Sequence, residues 1–330
     1  MIMKRVLFIF TILGLTTMIA FGQDARIREN RQVSGFTGIN ASGMFNITVQ
    51  RGNTESLVIE TYNDIMSYVR SEVRNGVLYL SLDRNFPGRQ HRGISVGGNA
   101  NVINMGRDGT IIQGNVINIR DGSIEIDGVP LNDIIAEASN NVVVSNRNIG
   151  ALNVTVVMPN LEQVTLSGAS NLTANDLFTP NRFKSTSSGA ANITLNLNTN
   201  NLEIGTSGIS NININANVSG YTRLDISGAS NIRGSLVTEQ ANFNFSGTSN
   251  VVLNGSAANA NVNVSGTSNV NLVNFPIRRT ALANVSGVSD LRINAVETLI
   301  INASGMSNAR YTGSATVQRN VSRNANVRRL

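Results

Sequence analysis

The stretch Ser167-Gly168-Ala169-Ser170-Asn171-Leu172 decides the fold, because close versions of it follow at nearly constant spacing. The eight copies begin at Ser167, Ser188, Ser207, Ser227, Ser246, Ser265, Ser286 and Ser304. The steps between these serines are 21, 19, 20, 19, 19, 21 and 18 residues. A period held this closely is typical of a solenoid in which each repeat adds one coil.

Apolar residues alternate on both sides of each Ser-Gly pair, which is the periodicity of a strand with one buried face. Before the serine they stand at three and one residues, as Leu224 and Ile226 do. After it they stand at five and seven residues, as Ile212 and Ile214 do. No window in this repeat region shows helical spacing, and the framework of leucine-rich repeats is missing. We therefore predict an all-β fold, a right-handed, single-stranded β-helix with coils of about 20 residues.

A polar residue recurs four positions after each corner serine. This row consists of Asn171, Asn192, Asn211, Asn231, Asn250, Asn269, Asp290 and Asn308. Asn tolerates the left-handed backbone conformation and caps its own turn, and stacked amides can exchange hydrogen bonds. We predict a structural corner ladder; the alternative, a polar ligand-binding face, is disfavoured because Asp290 replaces Asn without a change in its neighbours. We also assign Ile212 to the core and Ser210 to the outer surface.

Residues 1–22 have the composition of a secretory signal peptide. Lys4 and Arg5 start it, an apolar run over 6–19 follows, and small residues precede a cleavage site before Gln23. A membrane anchor is the alternative, but the apolar run is short and no basic stop-transfer cluster follows. We expect an exported protein that is periplasmic, outer-membrane-associated or extracellular, with no transmembrane segment after signal removal.

The composition limits how the chain is stabilised and what it binds. Cysteine is absent, so disulfides and a lipid anchor on cysteine are excluded. Without Lys4 and Arg5 the chain has 24 basic and 20 acidic residues, a net charge of +4. Five arginines form an acid-free C-terminal end: Arg310, Arg319, Arg323, Arg328 and Arg329. We expect this end to be solvated, partly disordered and attracted to anionic surfaces, but without aromatic stacking we predict no nucleic-acid partner.

Residues 33–83 contain a divergent first coil. In Ser42-Gly43-Met44-Phe45-Asn46-Ile47 the apolar offsets and the Asn match the later coils. The rest is predicted to hold a strand over 57–60, a short helical piece over 64–73, an Asn75-Gly76 turn and a strand over 77–82. Because an open coil exposes strand edges and core, we predict that this segment caps the solenoid.

Residues 84–149 depart from the repeat and are predicted to be an insertion. Its clearest element is a β-hairpin over 117–126 that turns at Asp121-Gly122. His91, the only histidine, has no metal-ligating or catalytic partner nearby in the sequence, so we predict a solvated loop residue. The repeat pattern of the coils resumes at residue 138, and a degenerate last coil follows after residue 310.

We therefore divide the chain into five parts. They are a signal peptide (1–22), an N-terminal cap with the first coil (23–83), an insertion (84–149), regular coils (150–310) and a degenerate coil with a basic tail (311–330).

Together these features resemble the putative autotransporter adhesin, head GIN domain family. The resemblance rests on the signal, the stretch Phe36-Thr37-Gly38-Ile39-Asn40-Ala41-Ser42-Gly43, the strand-turn-strand to residue 82 and the Ser-Gly-x-Ser-Asn coils, and it covers residues 33–327. It implies a secreted or cell-envelope β-helical protein of Bacteroidetes-like bacteria. It provides no catalytic or ligand-binding residues that transfer to this chain.

Catalysis must be weighed, because some β-helices cleave polysaccharides. That chemistry needs paired carboxylates or acidic calcium sites, whereas the acids after residue 138 do not line up in adjacent coils. A calcium-binding nonapeptide and a Gly-x-Ser-x-Gly elbow are also missing. We predict that the chain is not an enzyme and has no catalytic residues, no cofactor and no metal site.

A rod with Ser, Thr and Asn at regular spacing can match a repeating partner. We predict an adhesin-type surface-binding module whose partner is a surface glycan or an envelope protein. Aromatic platforms for sugars are scarce, since Trp is absent. A structural or assembly protein of the envelope is the alternative, and a polysaccharide-active β-helix enzyme ranks third. The sequence identifies neither ligand-binding residues nor the oligomeric state.

Overall fold

The computed structural model describes residues 26–86 and 152–330, and between them only six short strands. The first part contains β1 (Arg26–Arg31), β2 (Gly38–Gly43), β3 (Phe45–Arg51), β4 (Ser56–Tyr62), α1 (Asn63–Met66), β5 (Val69–Arg74) and β6 (Val77–Leu82). The short strands are β7 (Ser95–Val96), β8 (Val102–Met105), β9 (Thr110–Gln113), β10 (Ile117–Arg120), β11 (Ser123–Ile126) and β12 (Val129–Pro130). The last part contains β13 (Leu152–Met158), β14 (Gln163–Gly168), β15 (Asn171–Phe178), β16 (Arg182–Ile226), β17 (Asn231–Phe245), β18 (Asn250–Val264), β19 (Asn269–Ile277), β20 (Thr280–Val285), β21 (Asp290–Ala295), β22 (Thr298–Ala303), β23 (Asn308–Thr312), β24 (Thr316–Val321) and β25 (Asn326–Arg329).

The strands stack in parallel into a β-solenoid, which confirms the predicted fold class. We call face A the ladder of strands that end at a Ser-Gly corner, and face B the ladder of strands that begin after it. Equivalent residues stack in register: Ser167 pairs with Ser188 on face A, and Asn171 pairs with Asn192 on face B. The offset from the corner serine therefore defines a column of residues that runs along the rod axis. The right-handed winding stays a prediction.

The inward columns are those predicted from the apolar spacing. Leu224 and Ile226 lie three and one residues before their serine and are each 1% exposed. Ile212 and Ile214 lie five and seven residues after theirs and are 1% and 3% exposed. These apolar columns run through the described coils and form one continuous core. The core positions of a strand thus follow from its distance to the corner.

The corner glycines have no room for a side chain. Gly168 has a φ of +81°, and a Cβ there would lie 2.6 Å from the carbonyl oxygen of Gly43 in the coil below. Gly305 repeats this arrangement with a φ of +68° and 2.8 Å to the carbonyl oxygen of Gly287. Glycine is required both by the left-handed backbone and by the close approach of successive coils.

The ladder asparagines do not adopt the left-handed conformation that we predicted for them. Within the described ranges, Asn75 is the only non-glycine residue with a positive φ, at 50°. The corner glycine turns the chain instead, so the Asn that follows already belongs to a strand. Asn75 and Gly76 form the predicted two-residue hairpin between β5 and β6.

The N-terminal coil lies between two later parts of the chain. Strand β2 pairs with β6 on one side and with β14 on the other. Strand β3 likewise lies between β13 and β15. The coil formed by β2 and β3 therefore separates the coil of β6 and β13 from the coil of β14 and β15, and the order of coils along the axis differs from the order in the sequence.

The segment between β6 and β13 interrupts a coil at its corner. Ser81 pairs with the corner Ser42, and Leu152 and Asn153 pair with Phe45 and Asn46 after that corner. Residues 83–151 thus stand where other coils have one or two corner residues. Within this segment β10 and β11 form the predicted hairpin, with Arg120 opposite Ser123. His91 and residues 138–142 lie outside the described residues, as does the signal peptide.

Antiparallel strands flank the N-terminal coils. Strand β4 pairs antiparallel with β13, and β1 pairs antiparallel with β4. The helical piece predicted over 64–73 is wrong in extent: α1 spans only Asn63–Met66, and β5 begins at Val69. Alternating burial along β5 explains the difference, since half of that segment packs on the core. The capping role of this segment stays a prediction.

The basic C-terminal end is ordered, contrary to the partial disorder that we expected. Strand β24 pairs with β22, and β25 pairs with β23. Arg319 and Arg329 pair in register with Ile301 and Tyr311 of the preceding coil, and both arginines are exposed at this end of the stack. Backbone pairing with that coil holds the segment in place despite its composition.

Candidate binding groove

The outer surface of face A carries a polar column two residues before each corner serine, which we call the minus-two column. Its members face outward because their neighbours at minus three and minus one are inward. The column consists of Tyr79, Asn40, Thr165, Thr186, Gly205, Asp225, Asn244, Asn263, Asn284, Asn302 and Asn320. Since coils are spaced by about 4.8 Å, these groups recur along the rod at that interval.

Hydrogen bonds link the central part of this column into an amide ladder. Asn302, Asn284, Asn263 and Asn244 each donate through Nδ2 to the side-chain oxygen of the preceding member, at 2.8, 2.8, 2.7 and 2.6 Å. The final acceptor is a carboxylate oxygen of Asp225. An Asn side chain has two N–H donors and two acceptor sites, so each central amide keeps one of each for another partner.

The corner serines form the second wall of the same surface. Ser227 donates through Oγ to the carbonyl oxygen of Thr206 at 2.9 Å, and Ser246 donates to that of Ile226 at 3.3 Å. Ser265 and Ser286 have no side-chain hydrogen bond to the described part of the chain, so their hydroxyls are available as donors and acceptors.

Two open cavities lie between the minus-two column and the corner serines. The first has a volume of about 340 Å³ and is lined by Thr186, Ser187, Gly205, Thr206, Ser207, Asp225, Ile226, Ser227, Asn244 and Ser246. The second has a volume of about 280 Å³ and is lined by Asn284, Val285, Ser286, Asn302, Ala303, Ser304, Asn320 and Ser322. Both follow the same two columns, and we call this surface the corner groove.

The first cavity exists because glycine interrupts the column at residue 205. Gly205 has no atom within 4 Å of the position a Cβ would take, and its φ is not in the left-handed region. The gap separates Thr186 from Asp225, which lie two coils and therefore about 10 Å apart. We call this gap the Gly205 notch.

Asp225 is the carboxylate of the notch, and its side chain is 42% exposed. One of its oxygens accepts from Asn244, and the other accepts from Nε of Arg223 at 2.5 Å. The hydrogen bond and the negative charge of Asp225 raise the pKa of Arg223 above its ordinary value. Both partners are largely solvated, so this ion pair orients the carboxylate more than it stabilises the fold.

The predicted Asn row lies on face B, and its amides are hydrogen-bonded over part of its length. Asn231, Asn211, Asn192 and Asn171 each donate to the member of the preceding coil, and the series ends at Asn46. Asn250, Asn269, Asp290 and Asn308 continue the register. Among the described residues these four have no side-chain hydrogen bond to a neighbouring member of the row. A carboxylate oxygen of Asp290 lies 3.4 Å from a guanidinium nitrogen of Arg310 instead.

The assignment of Ser210 to the outer surface is wrong. Ser210 is fully buried, and its Oγ lies 3.1 Å from Oγ of Ser187. The equivalent Ser249 donates to the carbonyl oxygen of Ser246, three residues earlier, at 2.9 Å. This serine turns inward because it follows the corner glycine, here Gly208, whose positive φ of +116° breaks the alternation of the strand.

Sequence reasoning missed the minus-two column. The signal was present, because Asn244, Asn263, Asn284, Asn302 and Asn320 all stand two residues before a serine. The Ser-Gly-x-Ser-Asn motif led to the prediction of the row after the corner instead. The notch could not be predicted from the sequence, since it depends on the backbone conformation of Gly205 and on the open space beside it.

Two further properties bear on function. In residues 26–86 and 152–330, no three side chains of His, Cys, Asp and Glu come together as a metal site. The helical structure found among the described residues lacks the length and hydropathy that spanning a membrane requires.

Comparison with protein families gives a match to "Putative auto-transporter adhesin, head GIN domain" over residues 35–129, 96–222 and 218–315. The matched ranges cover most of the chain, including the first coil and all eight corner repeats. Comparison with curated proteins gives no match.

Solved structures with the same fold come from Parabacteroides. A putative adhesin from Parabacteroides merdae has a TM-score of 0.58 at 14% identity, with 94% of this chain and 98% of that chain covered. A putative adhesin from Parabacteroides distasonis has a TM-score of 0.56 at 13% identity, with the same two coverages. A putative lipid binding protein from Parabacteroides distasonis has a TM-score of 0.51 at 14% identity, with coverages of 92% and 96%. At these identities the likeness concerns the fold alone.

Proposed function

Because this chain belongs to the putative auto-transporter adhesin, head GIN domain family, we propose that it is an exported, non-enzymatic surface-binding module. Its ligand is a neutral glycan that lies along the corner groove, parallel to the rod axis. The family assignment supports the adhesin-type role, and the ligand class is argued from the groove.

The chemistry of the groove suits a neutral, hydroxyl-rich polymer. Asn263 and Asn284 each keep an unused donor and acceptor, and the corner Ser265 and Ser286 add hydroxyls between them. Apart from Asp225, the residues that line the two cavities carry no charge. A groove of this kind can satisfy sugar hydroxyls, whereas it offers no counter-charge to an acidic polymer.

The spacing of the groups carries the proposal. Coils repeat every 4.8 Å or so, while an extended peptide advances about 3.3 Å per residue. A peptide therefore loses register with the column within two or three coils. A pyranose ring with its glycosidic oxygen advances an extended glycan by close to one coil, so successive sugars can meet equivalent groups.

The distribution of acids on this surface supports a non-enzymatic role. Asp225 is the sole carboxylate that lines either cavity, and its two oxygens already hold Arg223 and Asn244. Glycoside cleavage by the common mechanisms needs a pair of carboxyl groups across the scissile bond. Incubation of the mature chain with neutral polysaccharides should release no reducing ends; turnover that Asp225→Ala abolishes would make the protein an enzyme.

The direct test is binding of the mature chain, residues 23–330, to immobilised neutral and acidic polysaccharides. We expect binding to at least one neutral polymer and a loss of about tenfold or more in Asn284→Ala/Asn302→Ala, which removes two groups of the groove. The matched control is Asn213→Ala/Asn217→Ala, which changes two exposed residues outside the groove and should bind normally.

Other outcomes would contradict the proposal. Binding only to envelope proteins would replace the glycan with a protein partner, and equal losses in both double variants would remove the groove as the site. Export is tested separately by cell fractionation with protease shaving. Retention of the chain in the cytoplasm would contradict the proposed adhesin-type role.

A further inference from the structure

We propose that the Gly205 notch is the specificity site of the corner groove, where one sugar residue inserts between Thr186 and Asp225. The inference rests on the proposed function, because it assigns a position and a polarity to the glycan. The inference concerns one cavity only. The notch assignment can therefore be wrong even if the groove does bind a glycan.

The notch is a gap in a column that is otherwise filled. Toward the C-terminus, four successive amides occupy the minus-two column and bond to one another. Toward the N-terminus, Thr186 resumes the column. Between them Gly205 leaves open space where any other side chain would stand. A ligand group that enters here replaces the missing side chain of the column.

The ladder imposes a polarity on the inserted group. Asn244 and the column amides that follow it in the sequence each donate to the member of the preceding coil. Asp225 is the last acceptor of this series. A carboxylate accepts but cannot donate, so the group in the notch must itself offer a hydrogen to Asp225. Sugar hydroxyls satisfy this requirement, and their oxygens can in turn accept from Thr186 or Ser207.

The amide series ends on the carboxylate of Asp225, which has lone pairs left for a further donor. The bond from Asn244 to this carboxylate is charge-assisted, whereas the other bonds of the series join neutral amides. Arg223 fixes the orientation of the carboxylate from the side, at 2.5 Å. The notch therefore offers a preoriented anionic acceptor in an otherwise neutral groove.

Glycine at 205 is not required by the fold, which distinguishes it from the corner glycines. A corner glycine such as Gly228 has a positive φ of 82° and has backbone atoms of the neighbouring coil where a Cβ would stand, whereas Gly205 has neither constraint. In a strand a glycine costs conformational entropy and gives no packing in return. Gly205 is consistent with a position kept open for a ligand.

The test compares variants that fill the notch with variants that change the groove elsewhere. The probes are three neutral hexasaccharides, of glucose (β-1,4), mannose and N-acetylglucosamine, with hexagalacturonate as the acidic control. Affinities are measured by calorimetry for the wild-type chain, Gly205→Asn, Asp225→Asn and Asn284→Ala/Asn302→Ala. Gly205→Asn fills the gap, and its amide can donate to Asp225 in place of the sugar.

We expect Gly205→Asn to weaken binding of the preferred neutral hexasaccharide by about tenfold or more, and Asp225→Asn to weaken it by several-fold. Hexagalacturonate should bind the wild type more weakly than the neutral probes, because its carboxylates are repelled by Asp225. Circular dichroism verifies the fold of each variant, and Asp225→Asn decides the question if Gly205→Asn does not fold.

The outcomes separate the two proposals. If Asn284→Ala/Asn302→Ala loses affinity while Gly205→Asn and Asp225→Asn bind normally, the groove is the site and the notch assignment is wrong. If no neutral hexasaccharide binds the wild-type chain, both proposals fail. A stronger response to hexagalacturonate than to the neutral probes would also overturn the notch assignment.

Discussion

At the scale of single residues, glycine has two roles in this chain that its position alone distinguishes. Gly247 is a corner glycine with a φ of +78°, and a Cβ there would lie 2.5 Å from the carbonyl oxygen of Gly228. Gly205 is a strand glycine with open space beside it. The same substitution should therefore have opposite effects at the two sites.

We predict that Gly247→Ala lowers the free energy of unfolding by about 2–4 kcal/mol, through left-handed backbone strain and the clash with the coil below. Gly205→Ala, the matched control, should leave stability within about 1 kcal/mol of wild type or raise it. Urea unfolding of both variants gives the comparison. Similar losses at both positions would show that the corner geometry is wrong.

Two buried positions of one coil, Ile212 and Ser210, test the assignment of the core. Ile212→Asp places a carboxylate in the apolar core, where Ile212 is 1% exposed, and should cost about 4 kcal/mol or more. Ser210→Ala removes a buried hydroxyl beside Ser187 and should cost about 1–3 kcal/mol. The expected order of unfolding midpoints is wild type, Ser210→Ala, Ile212→Asp. If Ile212→Asp left the free energy of unfolding unchanged, residue 212 would have to lie at the surface.

At the scale of strands, most of the architecture could be predicted from alternation around the corner. The inward offsets needed only the period and the apolar residues, because a buried face repeats every second residue. Ser210 is an exception because it follows the corner Gly208, whose positive φ interrupts the alternation. The helical piece over 64–73 was mistaken for the same kind of reason: local composition was ambiguous, and pairing of β5 with β6 decided it.

The amide ladder of face A should contribute to stability as well as to binding. Asn263 donates to Asn244 and accepts from Asn284, so Asn263→Ala breaks two bonds and should cost about 1–2 kcal/mol. Asn217→Ala is the control, since Asn217 is exposed and makes no side-chain hydrogen bond within the described residues; it should stay within about 0.5 kcal/mol of wild type. Equal thermal midpoints for the two variants would mean that the ladder adds nothing to the fold.

At the scale of the whole molecule, the order of the coils could not be predicted. Sequence periodicity places repeats one after another, whereas β2 and β3 lie between the coil of β6 and β13 and the coil of β14 and β15. Nothing local encodes such a crossing, because it depends on which strand edges meet after the chain has folded back. The same holds for the candidate groove. The residues of its columns can be found from the sequence period, but the notch can be found only from the backbone conformation at residue 205.

The segment between β6 and β13 should be dispensable for the fold. It interrupts one corner, between Ser81 and Leu152, while the strands on both sides pair in register with β2 and β3. Replacing residues 87–151 with a short Gly-Ser linker should shift the thermal midpoint by no more than about 5 °C, because loop length changes closure entropy only slowly. A variant without cooperative unfolding would show that this segment is part of the core.

The claim that the corner groove of face A binds a neutral glycan is tested most directly by a hydrogen-exchange footprint of the wild-type chain. The measurement compares amide exchange with and without a saturating amount of the neutral hexasaccharide that binds best. We predict slower exchange in peptides that cover 205–207, 225–227 and 244–246, with no change over 211–217 on the other side of the corner. Protection confined to 211–217, or no protection while calorimetry shows saturation, would contradict the claim.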